Sequence, residues 1–225
     1  MKIISWNIAR PKVNQHSRIF FIKSIIESEE PDLIVLTETS RCIGFGKAYH
    51  ELHSETLPAL HENQLYEEKE NRVSLFSKYP IETQYTTYDP YTSICGNINT
   101  DFGPLIMYLS IIGSFGGRNS YFTHDLHCQK EEIKNMKGNI CYSGDFNISF
   151  SGWKYPSEKV IDETKAFFSQ HNLEILTEKN ENSAIHIVMN KKFLKDKMVI
   201  QHIVSIDRKV SDHHLVSCTI EPINP

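Results

Sequence analysis

The sequence predicts an α/β protein of two packed sheets flanked by helices, built as one domain over residues 1–225. Three observations lead there. The chain begins strand, helix, strand, which is the opening of a βαβ unit. Short apolar runs then recur to the C-terminus with amphipathic segments inserted between them. No repeat, linker or low-complexity stretch divides the chain, and 225 residues suit one large core.

In order, residues 2–8 (KIISWNI) form a strand that ends at the polar Asn7 and is broken by Pro11, which cannot continue a ladder. Ile19, Phe20, Ile22, Ile25 and Ile26 give residues 17–29 a helical stripe, which Glu30-Pro31 stops. Residues 32–38 (DLIVLTE) are a buried strand ending in the Glu38 carboxylate. If these two strands are parallel neighbours, Asn7 and Glu38 share one sheet edge. Residues 39–71 are polar and aperiodic and read as a long surface excursion, a kind of segment that often carries function. Strand character returns at residues 72–77 and in two runs between 98 and 112, the clearer being 105–109, closed by Gly113. Gly116-Gly117-Arg118 is a flexible turn, and residues 125–136 are an amphipathic helix.

The central stretch is residues 140–149, ICYSGDFNIS. Ile140, Cys141 and Tyr142 read as a buried strand, and Gly144 supplies a sharp turn. Asp145 and Asn147 stand two positions apart, so an extended backbone sends both side chains to one face. Such a pair can orient a water and a phosphate oxygen together, and it also suits a plain Asx turn. Beyond it, Ser157 is an N-cap for a helix reaching Gln170, and residues 173–176, 185–189, 198–204 and 216–220 are strands.

The composition is globular, with 40% hydrophobic and 23% charged residues. A formal charge of -4 provides no basic field of the sort non-specific duplex binders use. It leaves room for an enzyme that meets phosphate at one metal-charged cleft. The five cysteines are scattered without a CxxC pair, which argues against a disulfide framework and a structural zinc site; Cys141 and Cys218 suit buried small hydrophobes. The first residues are too short for a signal h-region, and no run approaches the length of a membrane span. A soluble cytoplasmic protein with no membrane partner is the expectation.

Four strands thus end in groups suited to divalent cations or phosphates: Asn7, Glu38, Asp145 with Asn147, and Asp212 with His213. Mg²⁺ takes oxygen ligands and keeps several waters, so one or two carboxylates suffice, and Glu38 and Asp212 fit that role. Here the sequence resembles the endonuclease/exonuclease/phosphatase superfamily, whose members include exonuclease III-like enzymes and DNase I. The matching pieces are SWNI (5–8), PDLIVLTET (31–39), LFSKYPI (75–81), GDFNIS (144–149) and SDHHLV (211–216), in family order. The resemblance implies a four-layer α/β/β/α sandwich of the DNase I-like kind and a phosphoesterase dependent on Mg²⁺, with Mn²⁺ as a substitute. It implies that Glu38 binds the metal directly, that Asn7 and Asp212 assist, and that Asp145 orients or deprotonates the attacking water. Asn147 would position phosphate or water, and His213 would contact the scissile phosphate or act as base.

Two departures from the family pattern stand out. Many members carry an Asp before the last strands to orient the SDH histidine, where this chain has Ile185, or His186 in an alternative register. Losing that group leaves the His213 tautomer unsupported, at a cost of up to ~10⁴ in rate by analogy with a serine-protease triad. Two readings stay open: His186 partly replaces the missing group, or the protein is catalytically weak. Secondly, the middle strand reads MYLSIIG, and Tyr108 resembles the phosphate-contacting Tyr of exonuclease III-like members rather than the THL histidine of others. His124 lies on the helix before GDFN and reads as a solvated residue. Arg10, Arg41, Lys47 and Arg118 are candidates for other substrate phosphates or solvated surface charge, and Trp153 for base stacking or loop packing. The partner implied is nucleic acid or another phosphodiester. The alternatives are a phosphatase or phosphodiesterase on a small phosphorylated substrate, and a catalytically impaired module that binds phosphate or a protein partner.

Overall fold

The computed structural model describes residues 1–115 and 120–223, so the Gly116-Gly117-Arg118 turn lies outside the described residues. Strand β1 (Lys2–Asn7) alternates as an extended chain must, with Ile3 packing to one side and Ile4 and Trp6 to the other. Helix α1 (His16–Ser28) lays Ile22 and Ile26 against the second face. Strand β2 (Leu33–Ser40) runs parallel to β1, with Asn7 opposite Thr37, so both strands end at the same edge.

The segment read as a surface excursion is more ordered than its polarity suggests. It holds β3 (His50–His53), a small hairpin of β4 (Leu60–His61) and β5 (Gln64–Leu65), and the start of β6 (Glu70–Ser77), where Glu70, Asn71 and Arg72 are all buried. Polar side chains hid the strand because they bond to one another: Asn71 Nδ2 donates to Ser74 Oγ at 2.9 Å, and Arg10 Nε to Glu70 Oε1 at 2.5 Å. The next elements are β7 (Ile81–Tyr85), β8 (Ser93–Thr100) and β9 (Gly103–Ile111). Helix α2 (Ser120–Asn135) begins earlier than its apolar stripe does, and β10 (Ile140–Asp145) returns parallel to β9. The chain closes with α3 (Glu158–Gln170), β11 (Leu173–Ile175), β12 (Ile185–Asn190), α4 (Lys191–Leu194), β13 (Lys197–Val204) and β14 (Leu215–Pro222). The Ser157 side chain does cap α3, accepting from Val160 N.

One sheet has the order β13-β14-β1-β2-β6-β3 and the other β11-β12-β10-β9-β8-β7. They face each other across a shared core that includes Ile3, Val35, Leu75, Met107, Leu109 and Ile187, with Cys141 and Cys218 buried in it as small hydrophobes. A second core joins α2 and α3 to the β9–β10 sheet, and a third joins α1 to the β1–β2 sheet. The result is the α/β/β/α sandwich the sequence implied. Fully burying each large aliphatic or aromatic side chain in these layers contributes about 1.5–3 kcal/mol. Each sheet holds a parallel pair with its crossover helix, β1-α1-β2 and β9-α2-β10. The carboxyl ends of all four strands therefore gather at one edge of the sandwich, where α/β proteins place their ligands.

Candidate active site

Gly144 sets the geometry of that edge. Its φ is +139°, and a Cβ added there would lie 1.9 Å from Ser110 O on the adjacent β9, so only glycine lets β10 run this close. One residue on, Asp145 is 2% exposed and accepts from two strands' worth of chain. Its Oδ2 receives Asn7 Nδ2 at 2.8 Å and its Oδ1 receives the Asn147 backbone N–H at 3.0 Å. Asn7 cannot flip, because its Oδ1 is held by Ala9 N at 2.9 Å. Asn147 is oriented in the same way, with Nδ2 donating to Ile112 O at 2.7 Å.

Four non-glycine residues here have left-handed backbones: Ala9 (φ 52°), Arg10 (φ 53°), Glu38 (φ 48°) and Asn147 (φ 49°). Such conformations cost roughly 1–3 kcal/mol each and persist where surrounding bonds hold them. At Glu38 the consequence is direct. Regular alternation would send its side chain toward α1 with Ile34 and Leu36, and the turned backbone instead faces it to the Asp145 side. Arg10 N donates to Glu38 O at 2.8 Å, holding the turn. Burial, with Asp145 adding to it, pushes the Glu38 carboxyl above the usual carboxylate range, while Arg72 opposes the shift. Arg72 Nη1 lies 3.7 Å from Glu38 Oε1.

His213 arrives from the β13–β14 connection with its main chain fixed on both sides. Trp6 Nε1 donates to His213 O at 3.0 Å, and His213 N donates to Ser211 Oγ at 3.1 Å. Ser211 Oγ in turn donates to Asn7 O at 2.7 Å. Arg18 joins the same two loops, giving Nε to Val210 O and Nη2 to Ile8 O and Ala9 O. The His213 ring stands over the carboxylates, with Nε2 4.0 Å from Asp145 Oδ2 and 3.8 Å from Asp212 Oδ1. Asp212 is at the rim, its side chain 74% exposed.

Asn7, Glu38, Asp145, Asn147, Asp212 and His213 are thus brought together. Tyr108 is not. It lies on the opposite face of β9, beside Tyr142 under α2, with its hydroxyl donating to Glu132 Oε2 at 2.5 Å. The strand's apolar run conceals which alternate residues face which layer. His186 is also engaged elsewhere. Thr177 Oγ1 bonds its Nδ1 at 3.0 Å, and Ile148 O and Ser183 O lie 2.9 and 3.0 Å from Nε2, so it does not replace the missing orienting Asp. Ile185 is the residue opposite Asp145, and it packs into the core between the sheets. His124 is on the solvent face of α2 beside Cys128. Arg41 bonds Ser54 O, Lys47 is exposed, and Trp153 is 79% exposed. Arg118 is outside the described residues. Trp6, Arg18, Arg72 and Ser211 were not singled out from sequence. Only Trp6 and Ser211, lying inside the motifs SWNI and SDHHLV, offered a signal.

Among the described residues, no group of three or more His, Cys, Asp or Glu side chains forms a ready-made metal cage. The donors at hand are oxygens: the Glu38 carboxylate, close enough to Asp145 for their like charges to interact, and the Asn7 side-chain carbonyl. The buried Thr37 and Thr39 hydroxyls, which flank Glu38 in the chain, have no hydrogen-bond partner among the described residues. This donor set fits a hard cation that retains waters, and it does not fit one that wants thiolate or imidazole. No helix among the described residues is long and apolar enough to cross a membrane.

No family model and no curated protein sequence matches the chain. Solved structures do. An endonuclease/exonuclease/phosphatase protein from Beutenbergia cavernae superposes with a TM-score of 0.69 at 14% identity, over 99% of this chain and 71% of that one. The endonuclease domain of TRAS1, a telomere-specific non-LTR retrotransposon, gives 0.68 at 13% identity, covering 99% of both chains. The human Nocturnin catalytic domain gives 0.68 at 16%, over 99% of this chain and 93% of its own. The chain has the DNase I-like fold of the endonuclease/exonuclease/phosphatase superfamily.

Proposed function

We propose that the protein is a divalent-metal-dependent phosphodiester hydrolase, with nucleic acid as its substrate class. The observation that carries this reading is the Asn7–Asp145–Asn147 hydrogen-bond set beneath the His213 ring, at an edge where Glu38 faces inward. Similarity of fold to the TRAS1 endonuclease domain supports it. In the proposed reaction, Asp145, oriented by Asn7 Nδ2 and Asn147 N, takes a proton from a water. The water oxygen forms a bond to phosphorus as the ester P–O bond opposite it breaks, and the leaving oxygen takes a proton from solvent. His213 Nε2 donates to a non-bridging phosphate oxygen, where charge develops. Glu38, with Asn7, would hold Mg²⁺ or Mn²⁺, which when bound supplies a Lewis acid for the phosphoryl oxygens. Asp212 contributes at the rim.

A second reading has its own support. The formal charge of -4 favours a small phosphodiester or phosphomonoester over a long duplex. The test is hydrolysis of bis(p-nitrophenyl) phosphate, a nicked duplex and p-nitrophenyl phosphate, with Mg²⁺ and with EDTA. Turnover of both diesters that is lost in EDTA and falls at least ~10³-fold in Asp145→Asn is the expected result. Turnover of either small ester with the duplex left intact would establish the second reading. Absence of turnover on all three would overturn both.

A further inference from the structure

One peptide group sits between the site and the helix layer. The Ile112 carbonyl accepts Asn147 Nδ2 at 2.7 Å, and the N–H of that same peptide, on Gly113, donates to Asp125 Oδ2 at 2.8 Å. The preceding N–H, on Ile112, donates to Asp145 O at 2.9 Å, so the turn after β9 is fixed to β10 as well. Asp125 is on α2, is 5% exposed, and has no part in the proposed chemistry. A buried carboxyl needs polar partners, and Asp125 has the Gly113 N–H on one side and the Tyr88 side chain on the other, which fixes it against the turn. Gly113 is equally constrained. Its φ is +66°, and an added Cβ would lie 3.1 Å from Phe122 Cβ, which presses the turn against α2.

We propose that Asp125 is a positioning residue for Asn147, acting through the Ile112–Gly113 peptide. A carboxylate on the N–H side polarises a peptide and strengthens its carbonyl as an acceptor. The carbonyl then holds the Asn147 amide by Nδ2, which turns Oδ1 away from it and toward the site. Asn147 therefore presents an acceptor, suited to a water proton beside Asp145, more than a donor for a phosphate oxygen. The helix layer thus sets the orientation of a side chain just past β10, across one peptide of the turn that follows β9. The catalytic part of this inference rests on the reading given under Proposed function, while the hydrogen-bond relay does not.

Asp125→Ala, Asp125→Asn and Leu126→Ala are compared with the unaltered protein. Leu126 is packed in the same α2 interface and is 9% exposed, so its truncation loosens the helix without touching the peptide. The first readout needs no turnover: the Asn147 side-chain NH₂ signals, by ¹H–¹⁵N NMR. They are expected to collapse toward free-amide positions in Asp125→Ala and to stay in place in Asp125→Asn and Leu126→Ala. The second readout is kcat against KM for bis(p-nitrophenyl) phosphate. Asp125→Ala is expected to lower kcat about tenfold with KM held, and Asp125→Asn, which keeps an acceptor, to recover most of it. Unmoved Asn147 signals in Asp125→Ala, or an equal kcat loss in Leu126→Ala, would overturn the proposal. If the unaltered protein hydrolyses nothing, the proposed function fails, and the NMR comparison still decides the relay.

Discussion

Two histidines flank β10, and they have opposite fates. His186 lies opposite Gly144 on β12, fully buried, with every polar ring atom engaged. The two carbonyls at Nε2 require that nitrogen to carry the proton, leaving Nδ1 to accept from Thr177. His213 has a fixed main chain and an unfixed ring: no hydrogen bond reaches its ring nitrogens among the described residues, and it is a quarter exposed over Asp145. A histidine whose ring is fully bonded serves the fold. One whose backbone is bonded and whose ring is free, above a buried carboxylate, is free to act on a ligand.

The largest effect should come from removing the free ring. His213→Asn is expected to reduce kcat for a phosphodiester by about 10³-fold, with an unchanged melting temperature, because the ring holds nothing together. Comparable activity in the variant would break the contrast at once. His186→Ala should do the reverse. It takes away the acceptor of the Thr177 hydroxyl proton and the ring N–H shared by two carbonyls and opens a cavity, costing about 3 kcal/mol in urea unfolding, with kcat per folded molecule unchanged. A stable His186→Ala protein with lost activity would show that the ring is functional after all.

The sequence makes one of these histidines easy to misread, and the reason is parity. Residues 185–189 are an apolar run, and nothing local says whether Ile185 or His186 faces the site. The pairing of β12 with β10 decides it, placing Ile185 against Asp145 and pointing His186 into the α-side layer with Phe146 and Phe150. Tyr108 is the same problem one strand away, since it pairs with Tyr142, an odd number of residues from Asp145. The parts that were legible do not depend on parity. Asn7 ends β1 and Glu38 lies near the end of β2, which runs on to Ser40; a helix connects the two strands, which makes them parallel neighbours, and Gly144 marks a turn by its type alone. The left-handed backbone that turns Glu38 inward has no sequence signature in a glutamate. The burial of Glu70, Asn71 and Arg72 is hidden because polar residues paired in space, as Glu70 is with Arg10 and Asn71 with Ser74, look in one dimension like solvated ones.

The smallest effect, and the finest test of the contrast, is in pH. Burial lowers the His186 pKa to about 4 from an ordinary value of 6.5. In the unfolded chain it takes up a proton below about 6.5, and in the folded protein only near 4, so between those values the unfolded state binds more protons. Stability must therefore fall as pH drops through that window, with a limit of about 3 kcal/mol for this one group. Glu38, Asp125 and Glu132 work against the slope, because burial raises their carboxyls and favours the folded form as they protonate. Half-buried His53, whose pKa burial also lowers, works with it. All four are common to the unaltered protein and to His186→Gln, so the difference between their unfolding free energies isolates the ring. That difference is expected to shrink steadily from pH 7 to pH 4.5, as the unaltered protein loses an advantage the glutamine protein never had. A constant difference across the range would mean that His186 accepts its proton in place, and the two histidines would then differ in exposure alone.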